Sequence, residues 1–375
     1  MTRNLHPFAT FSSRAAGSDP RMVRVTDIDR FVFVVGAPRC GTTTLSRFLK
    51  DHPAIRFPSV KEPHFFAQHD LRGLPDDELR DRVERDYLGR FLRDAKGSVG
   101  ADCSVTYLYA PELLAPILRL WPDSRFVIAL RDPLTMLPSL HQRLLFMGDE
   151  TLTSFARAWA AVPDRAAGRR IPRRCVEPRW LRYDEAARLG TYVERLFKAV
   201  GRERCLPIIF DDLTEDPRVE YRRLMDFCGL PTVRGIDFSA QRSGKAVRIA
   251  SLQRVLKRPP AVLTRHLAAD RYLHRTAKHT SGDGTPSGRI LSLRRRLLQW
   301  NKVAAPAQPL PVALQLELRA RFKGEMDRLA RLIGRDLSHW LVPEEQRAAA
   351  AVRRQGLEAR PFGAPAFSRR TVERS

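Results

Sequence analysis

The stretch FVFVVGAPRCGTTTLSRFL, residues 31–49, decides the fold. Its first five residues are apolar without a break and mostly β-branched or aromatic, which makes them a strand covered on both faces, as in a parallel sheet between helices. A loop bounded by Gly36 and Gly41 follows, and then three threonines lead into Leu45, Phe48 and Leu49 at the spacing of an amphipathic helix. Strand, loop and helix start in that order aim backbone N–H groups and the positive end of a helix dipole at one point, a place for a phosphate-like anion. The loop falls one residue short of the ATPase pattern G-x-x-x-x-G-K-[ST], because Thr42 stands where that pattern has lysine. A P-loop kinase or NTPase, the rival reading, thereby loses its main cation. Arg39 is the basic residue inside the loop, placed to reach a bridging oxygen between a phosphate and its leaving group.

The same alternation of apolar runs and helical patterns continues outward. Strands are expected at residues 98–102, 125–130 and 205–210, and helices at 43–51, 111–120, 136–146, 183–200, 218–228 and 312–333. The fold class is therefore α/β, a P-loop-type three-layer sandwich with a central parallel sheet flanked by helices. Residues 1–28 are polar and aperiodic and read as a flexible segment, residues 29–342 as the folded domain, and residues 343–375 as a disordered tail. Residues 242–311 are strongly basic and read as a lid or insertion rather than a second domain.

Composition narrows the function. With 43% hydrophobic and 29% charged residues the chain has a globular composition, and no run approaches the roughly 20 apolar residues of a membrane span. The opening residues lack an apolar signal core, so a cytoplasmic protein is expected. Five cysteines form no C-x-x-C pair, which argues against a disulfide framework or a zinc site, and no metal is called for. The net charge of +24 suits polyanions generally: phosphate-bearing cofactors, acidic substrates, an anionic membrane face or nucleic acid. No nucleic-acid reader motif accompanies it, so no specific nucleic acid is expected.

The loop G-x-P-R-x-G-T-T over residues 36–43 is similar to the 5′-phosphosulfate loop of sulfotransferases that use 3′-phosphoadenosine 5′-phosphosulfate (PAPS). Further landmarks agree in order. KEPHFF (residues 61–66) resembles the segment of glycan sulfotransferases whose glutamate is the catalytic base, and RFVIALRDPLTMLPSLHQRLL (125–145) resembles the strand and helix that bind the 3′-phosphate. RLGTYVERLFKAVGRERCLPIIFDDLTEDP (188–217) and RLIGRDLSHW (331–340) resemble the remaining landmarks, so the likeness runs from about residue 30 to 340. It departs at DCSVTY (102–107), where the glycan enzymes read E-K-T-P-S-Y and Cys103 replaces their lysine.

The resemblance implies a sulfuryl transferase using PAPS as donor and a hydroxyl or amine acceptor on a glycan, peptide, lipid or small metabolite. It implies that Arg39, with Gly41, Thr42 and Thr43, holds the 5′-phosphosulfate, that Arg131 and Ser139 grip the 3′-phosphate, and that Glu62 is the general base. Asp132-Pro133 reads as a helix cap with proline at the first helical position, and Pro138 as a kink beside Ser139. His64 and His141 are either contacts to acceptor or phosphate or satisfied structural histidines. Lys61 either meets sulfuryl oxygens or is solvated, and Arg242 and Lys245 either close over the cofactor or lie in a solvated loop. Cys40 is a small side chain that fits the loop.

Overall fold

The run that opens the fold forms strand β1, Arg30–Gly36, and Phe31 to Val35 are completely buried. The computed structural model describes residues 23–93, 95–173, 175–239, 245–257, 286–304 and 310–342. β1 is the middle of a five-stranded sheet completed by β2 (Ile55–Arg56), β3 (Val99–Asp102), β4 (Arg125–Leu130) and β5 (Cys205–Ile209). Their order is β2-β3-β1-β4-β5 and every pairing is parallel, with Phe33 opposite Asp102 on one side and Phe126 on the other. Parallel pairing aligns the carboxyl ends of the strands along one edge, where α/β proteins collect their ligands.

Helices cover both faces: α1 (Thr42–Lys50), the short α2 (Phe65–Gln68), α3 (Pro133–Met147), α4 (Leu189–Val200), α5 (Phe210–Glu215) and α6 (Pro217–Cys228). Aromatic packing ties neighbouring strands together and the sheet to α2, with Phe33 stacked 5.4 Å from Phe126 of β4 and 6.0 Å from Phe66 of α2. Burying each such ring contributes roughly 1.5–3 kcal/mol. In the basic insertion, β6 (Lys245–Val247) pairs antiparallel with β7 (Lys302–Ala304), and α7 (Ala250–Lys257) and α8 (Pro286–Trp300) accompany them. The long α9 (Val312–Ile333) closes the fold against α4, where Thr191 N–H donates to Glu325 Oε2 at 2.8 Å.

Four details differ from the sequence reading. The domain boundary lies before residue 29, because Val23, Val25 and Ile28 are buried and the carbonyl of Val25 accepts from Trp121 Nε1 at 3.2 Å. β2 was not expected; its two residues are strand only through their pairing with Val99 and Gly100. The helix expected over 183–200 is two pieces, Tyr183–Ala186 and α4, parted at Ala187 and Arg188. The helix expected over 136–146 starts earlier, at Pro133, and runs past Pro138 to Met147.

Candidate active site

Two glycines shape the loop between β1 and α1. Gly41 has φ +89° and a Cβ there would stand 2.7 Å from Leu213 Cδ2; Gly36 has φ +140° and a Cβ would stand 2.9 Å from the carbonyl oxygen of Val105. Both positions therefore exclude a side chain twice over, by conformation and by space. Between them Arg39 adopts φ +67°, a strained value for a residue with a side chain. At the start of α1 the first helical bond runs from Thr44 N–H to the Gly41 carbonyl at 2.9 Å, and the N–H groups of Gly41, Thr42 and Thr43 come before it, the arrangement that favours an anion at a helix start.

The strained arginine reaches across to α3, where Arg39 Nε donates to Ser139 Oγ at 3.0 Å. Arg131 follows the end of β4 and turns back to the same point, its Nη1 donating to the Arg39 carbonyl at 3.1 Å and its Nε to Thr135 Oγ1 at 2.9 Å. Its guanidinium also lies over the Phe210 ring, 4.2 Å from the centre. Among the described residues neither Arg39 nor Arg131 makes an ion pair with a carboxylate; their partners are neutral. Burial holds the Arg39 pKa below the usual arginine value, with Arg143 and Arg131 adding repulsion, and burial lowers Arg131 in the same direction. Asp211 and Asp132 offset part of the Arg131 effect from a distance, but with no carboxylate bonded to either guanidinium the converging pair leaves a place that an anion would stabilise. Asp132 caps α3 as expected: its Oδ1 accepts from Leu134 N–H at 2.9 Å, with Pro133 at the first helical position.

Across the loop lies the segment before α2. Lys61 Nζ donates to Thr43 Oγ1 at 3.3 Å and to Glu62 Oε1 at 3.1 Å, so one ammonium joins the phosphate loop to the carboxylate. Glu62 Oε2 is 3.5 Å from His64 Nε2, and the carboxylate is 27% exposed, open enough to meet a second substrate. His64 has φ +57° and is fixed from the end of β3: its N–H donates to Ser104 Oγ at 2.9 Å, and its Nδ1 is 2.9 Å from Thr106 Oγ1. Ser104 Oγ in turn donates to Asp102 Oδ1 at 2.6 Å, while the hydroxyls of Tyr87 and Tyr107 donate to Asp102 Oδ2 at 2.9 and 2.8 Å. Burial pushes Asp102 up to about 6 although all three hydroxyls favour its charged form. Beside Lys61 opens a cleft of about 300 Å³ lined by Thr43, Ser46, Arg47, Lys50 and Phe57 among others.

The residues singled out from sequence thus fall into two groups on either side of the loop: Arg39, Arg131 and Ser139 on one, and Glu62 on the other, with Gly41, Thr42 and Thr43 between them. Sequence reading missed Arg143, although it follows Ser139 by four residues on α3, the spacing that puts two side chains on one helix face. It also missed Phe210 under Arg131 and the support of His64 by Ser104 and Thr106. His141 takes its structural alternative: it is buried, its Nε2 is 2.7 Å from the Leu152 carbonyl, and burial lowers its pKa. Cys40 is buried with its thiol pushed up to about 12, which leaves it unreactive. Arg242 lies outside the described residues, and Lys245 opens β6.

Sheet, loop and paired arginines together define an α/β protein of the P-loop type with a site suited to an anion. A sequence profile of the sulfotransferase family matches residues 32–100 and 106–234, more than half of the chain. The chain belongs to the sulfotransferase family, whose general donor is PAPS. It is similar to mouse (Mus musculus) heparan sulfate glucosamine 3-O-sulfotransferase 3B1, with 27% identity over 203 residues, 53% of this chain and 46% of that one. A shorter stretch of 62 residues, 16% of this chain and 11% of the other, is 40% identical to human (Homo sapiens) carbohydrate sulfotransferase 15. The chain thus spans about half the length of the first of these relatives and a smaller part of the second. A crystal structure of a sulfotransferase from Alicyclobacillus acidocaldarius shares the fold, with a TM-score of 0.55 and 24% identity over 82% of this chain and 97% of that one.

Proposed function

We propose that the chain moves the sulfuryl group of PAPS to a hydroxyl or amine of an acceptor, and that the acceptor is a glycan, the class named in its curated relatives. The observation that carries this reading is the pair Arg39 and Arg131: two half-buried guanidinium groups with neutral partners at the start of a helix. PAPS, when bound, supplies an activated sulfuryl group and a nucleoside bisphosphate leaving group. Arg39 and the N–H groups of Gly41, Thr42 and Thr43 hold the 5′-phosphosulfate and offset the charge that develops on the leaving oxygen. Arg131 and Ser139 hold the 3′-phosphate, the group that separates this nucleotide from ATP.

Glu62 takes the proton of the acceptor. Lys61 keeps it oriented and places a positive charge between the base and Thr43. The test is calorimetry of 3′,5′-diphosphoadenosine against adenosine 5′-phosphate and ATP with Mg²⁺, followed by transfer of labelled sulfuryl from PAPS to a panel of glycans. Tight binding of the bisphosphate alone, with label on a glycan, is the expected result. Equal affinity for all three nucleotides would overturn the donor reading, and label on peptide or lipid but not glycan would overturn the acceptor.

A further inference from the structure

The described portion of the basic insertion, residues 245–257 and 286–304, carries none of the residues assigned to the reaction above and packs as a platform on α3. Gln253 Nε2 donates to the carbonyl of Phe146 at 2.8 Å, and Asn301 Nδ2 donates to Gln253 Oε1 at 3.1 Å and to the Ile249 carbonyl at 3.0 Å. Ile249 N–H completes the set by donating to Asn301 Oδ1 at 2.8 Å. Gln253 and Asn301 are both fully buried, and a buried polar cluster with its bonds made holds one geometry. Phe146 is seven residues beyond Ser139 on α3, about 10 Å along the helix, so the platform stands apart from the anion site.

This platform combines a dense positive charge with exposed apolar side chains. Residues 245–257 and 286–304 contain nine Lys and Arg and no Asp or Glu. On α8, Leu293, Arg296 and Trp300 follow one another at three and four residues and so share a face, with Leu293 58% and Trp300 51% exposed. The Arg248 guanidinium lies over the Trp300 ring, 5.4 Å from its centre. Next to it Ile249 is 44% exposed, and Lys302 pairs with Val247 across the small sheet. Cations and large exposed apolar side chains thus share this one small part of the surface, in contact at Arg248 and Trp300.

A soluble polyanion would satisfy the charges but leave Leu293, Ile249 and Trp300 in water. An apolar protein partner would bury those three but strand the cations. The interface of an anionic bilayer serves both, with headgroup phosphates for the guanidinium and ammonium groups and the edge of the hydrocarbon for the indole and aliphatic side chains. Arginine stems lie along apolar surface while their heads stay with the headgroups. We infer that Leu293, Arg296, Trp300, Arg248, Ile249 and Lys302 form a docking surface for anionic lipid membranes, on which the protein lies peripherally. Among the described residues no helix is long and apolar enough to cross a membrane.

The full chain is sedimented with vesicles of phosphatidylcholine alone and with vesicles containing about a third phosphatidylglycerol, at about 0.1 M salt. Binding to the anionic vesicles and not to the neutral ones is expected, with the exposed Trp300 becoming shielded from iodide quenching. Arg248→Glu with Arg296→Glu is expected to weaken binding by at least about 25-fold, roughly fivefold for each lost cation. Leu293→Ser with Trp300→Ser is expected to weaken it at least about tenfold through lost apolar contact. Unchanged affinity for 3′,5′-diphosphoadenosine shows that both variants are folded. Failure of the wild-type chain to bind anionic vesicles overturns the inference. So does an apolar variant that binds vesicles like the wild type, since the patch would then read charge alone.

Discussion

Replacing Arg131 by alanine should separate two nucleotides that differ only by a 3′-phosphate. A charge-assisted hydrogen bond contributes about 1.5–3 kcal/mol, and a guanidinium can make two of them to one phosphate. The full pair is not available here, because Arg131 already spends Nη1 on the Arg39 carbonyl and Nε on Thr135. Binding exchanges those neutral bonds for charged ones, so the net loss on removal should be close to one charge-assisted bond, about 2–3 kcal/mol, or roughly 30- to 150-fold in Kd for 3′,5′-diphosphoadenosine. Arg131→Lys keeps the charge but forfeits the fork and the flat face set against Phe210, and should lose about tenfold.

Adenosine 5′-phosphate supplies the control, since it has no group for Arg131 to hold and its affinity should change by less than about threefold. Titration calorimetry of both nucleotides on all three proteins gives the comparison. The alternative role for Arg131 is structural: through the Arg39 carbonyl it props the phosphate loop. In that case the alanine variant would lose both nucleotides equally, because the loop serves the 5′-phosphate of each. Equal losses would refute the assignment of the 3′-phosphate to Arg131.

Glu62→Gln should lower turnover by about 10²- to 10⁴-fold in a PAPS-dependent assay while leaving nucleotide affinity nearly intact; a variant with more than about a third of normal turnover would remove Glu62 from the proton transfer. Asp102, raised to about 6 by burial, binds its proton more tightly when folded than when unfolded, so its contribution falls by roughly 3 kcal/mol as pH rises from about 4 to about 6. Asp102→Asn should therefore gain stability relative to wild type across that window, seen as a difference in Tm that widens by several degrees, and parallel Tm curves would contradict it. Arg165 and Glu150 form a completely buried ion pair at 2.8 Å, so Arg165→Met alone should cost about 3–5 kcal/mol by denaturant unfolding, and adding Glu150→Gln should recover part of that loss.

How far the sequence could be read depended on how local the physics was. The phosphate loop is legible because its chemistry is backbone geometry: Gly36, Gly41 and the helix start lie within a few residues, and no distant partner is needed to infer what they do. The cap at Asp132 and Pro133 is legible for the same reason. β2 is not, because Ile55 and Arg56 become strand only when β3 arrives forty residues later. The break before α4 escaped notice because Tyr183 to Val200 keeps a helical pattern of apolar residues, while the turn at Ala187 and Arg188 is set by packing. Val23, Val25 and Ile28 read as a flexible lead because three apolar residues among polar ones carry no period; they are held by Trp121 and by Glu84, whose Oε1 accepts from Val25 N–H at 2.7 Å.

The candidate base shows the same division inside a single site. Glu62 could be picked out by likeness, but what holds it comes from the segment where the likeness fails. Cys103 is buried, its thiol is driven well up by burial and hydrogen-bonded to Ser46, and it carries no positive charge. A cation is nevertheless present, because the Lys61 ammonium lies between Thr43 and Glu62 and is close enough to influence the Cys103 thiol. The flanking residues of the same strand end, Asp102, Ser104 and Thr106, fix His64, which faces Glu62 from the other side. The end of β3 thus supplies hydrogen bonds rather than a positive charge, and the cation rides on the loop that carries the base. Base and cation are then neighbours in sequence and move together, so the geometry between them depends on one short turn rather than on the packing of two separate strands. That turn is pinned by His64 in a left-handed conformation, which its bonds to Ser104 and Thr106 offset.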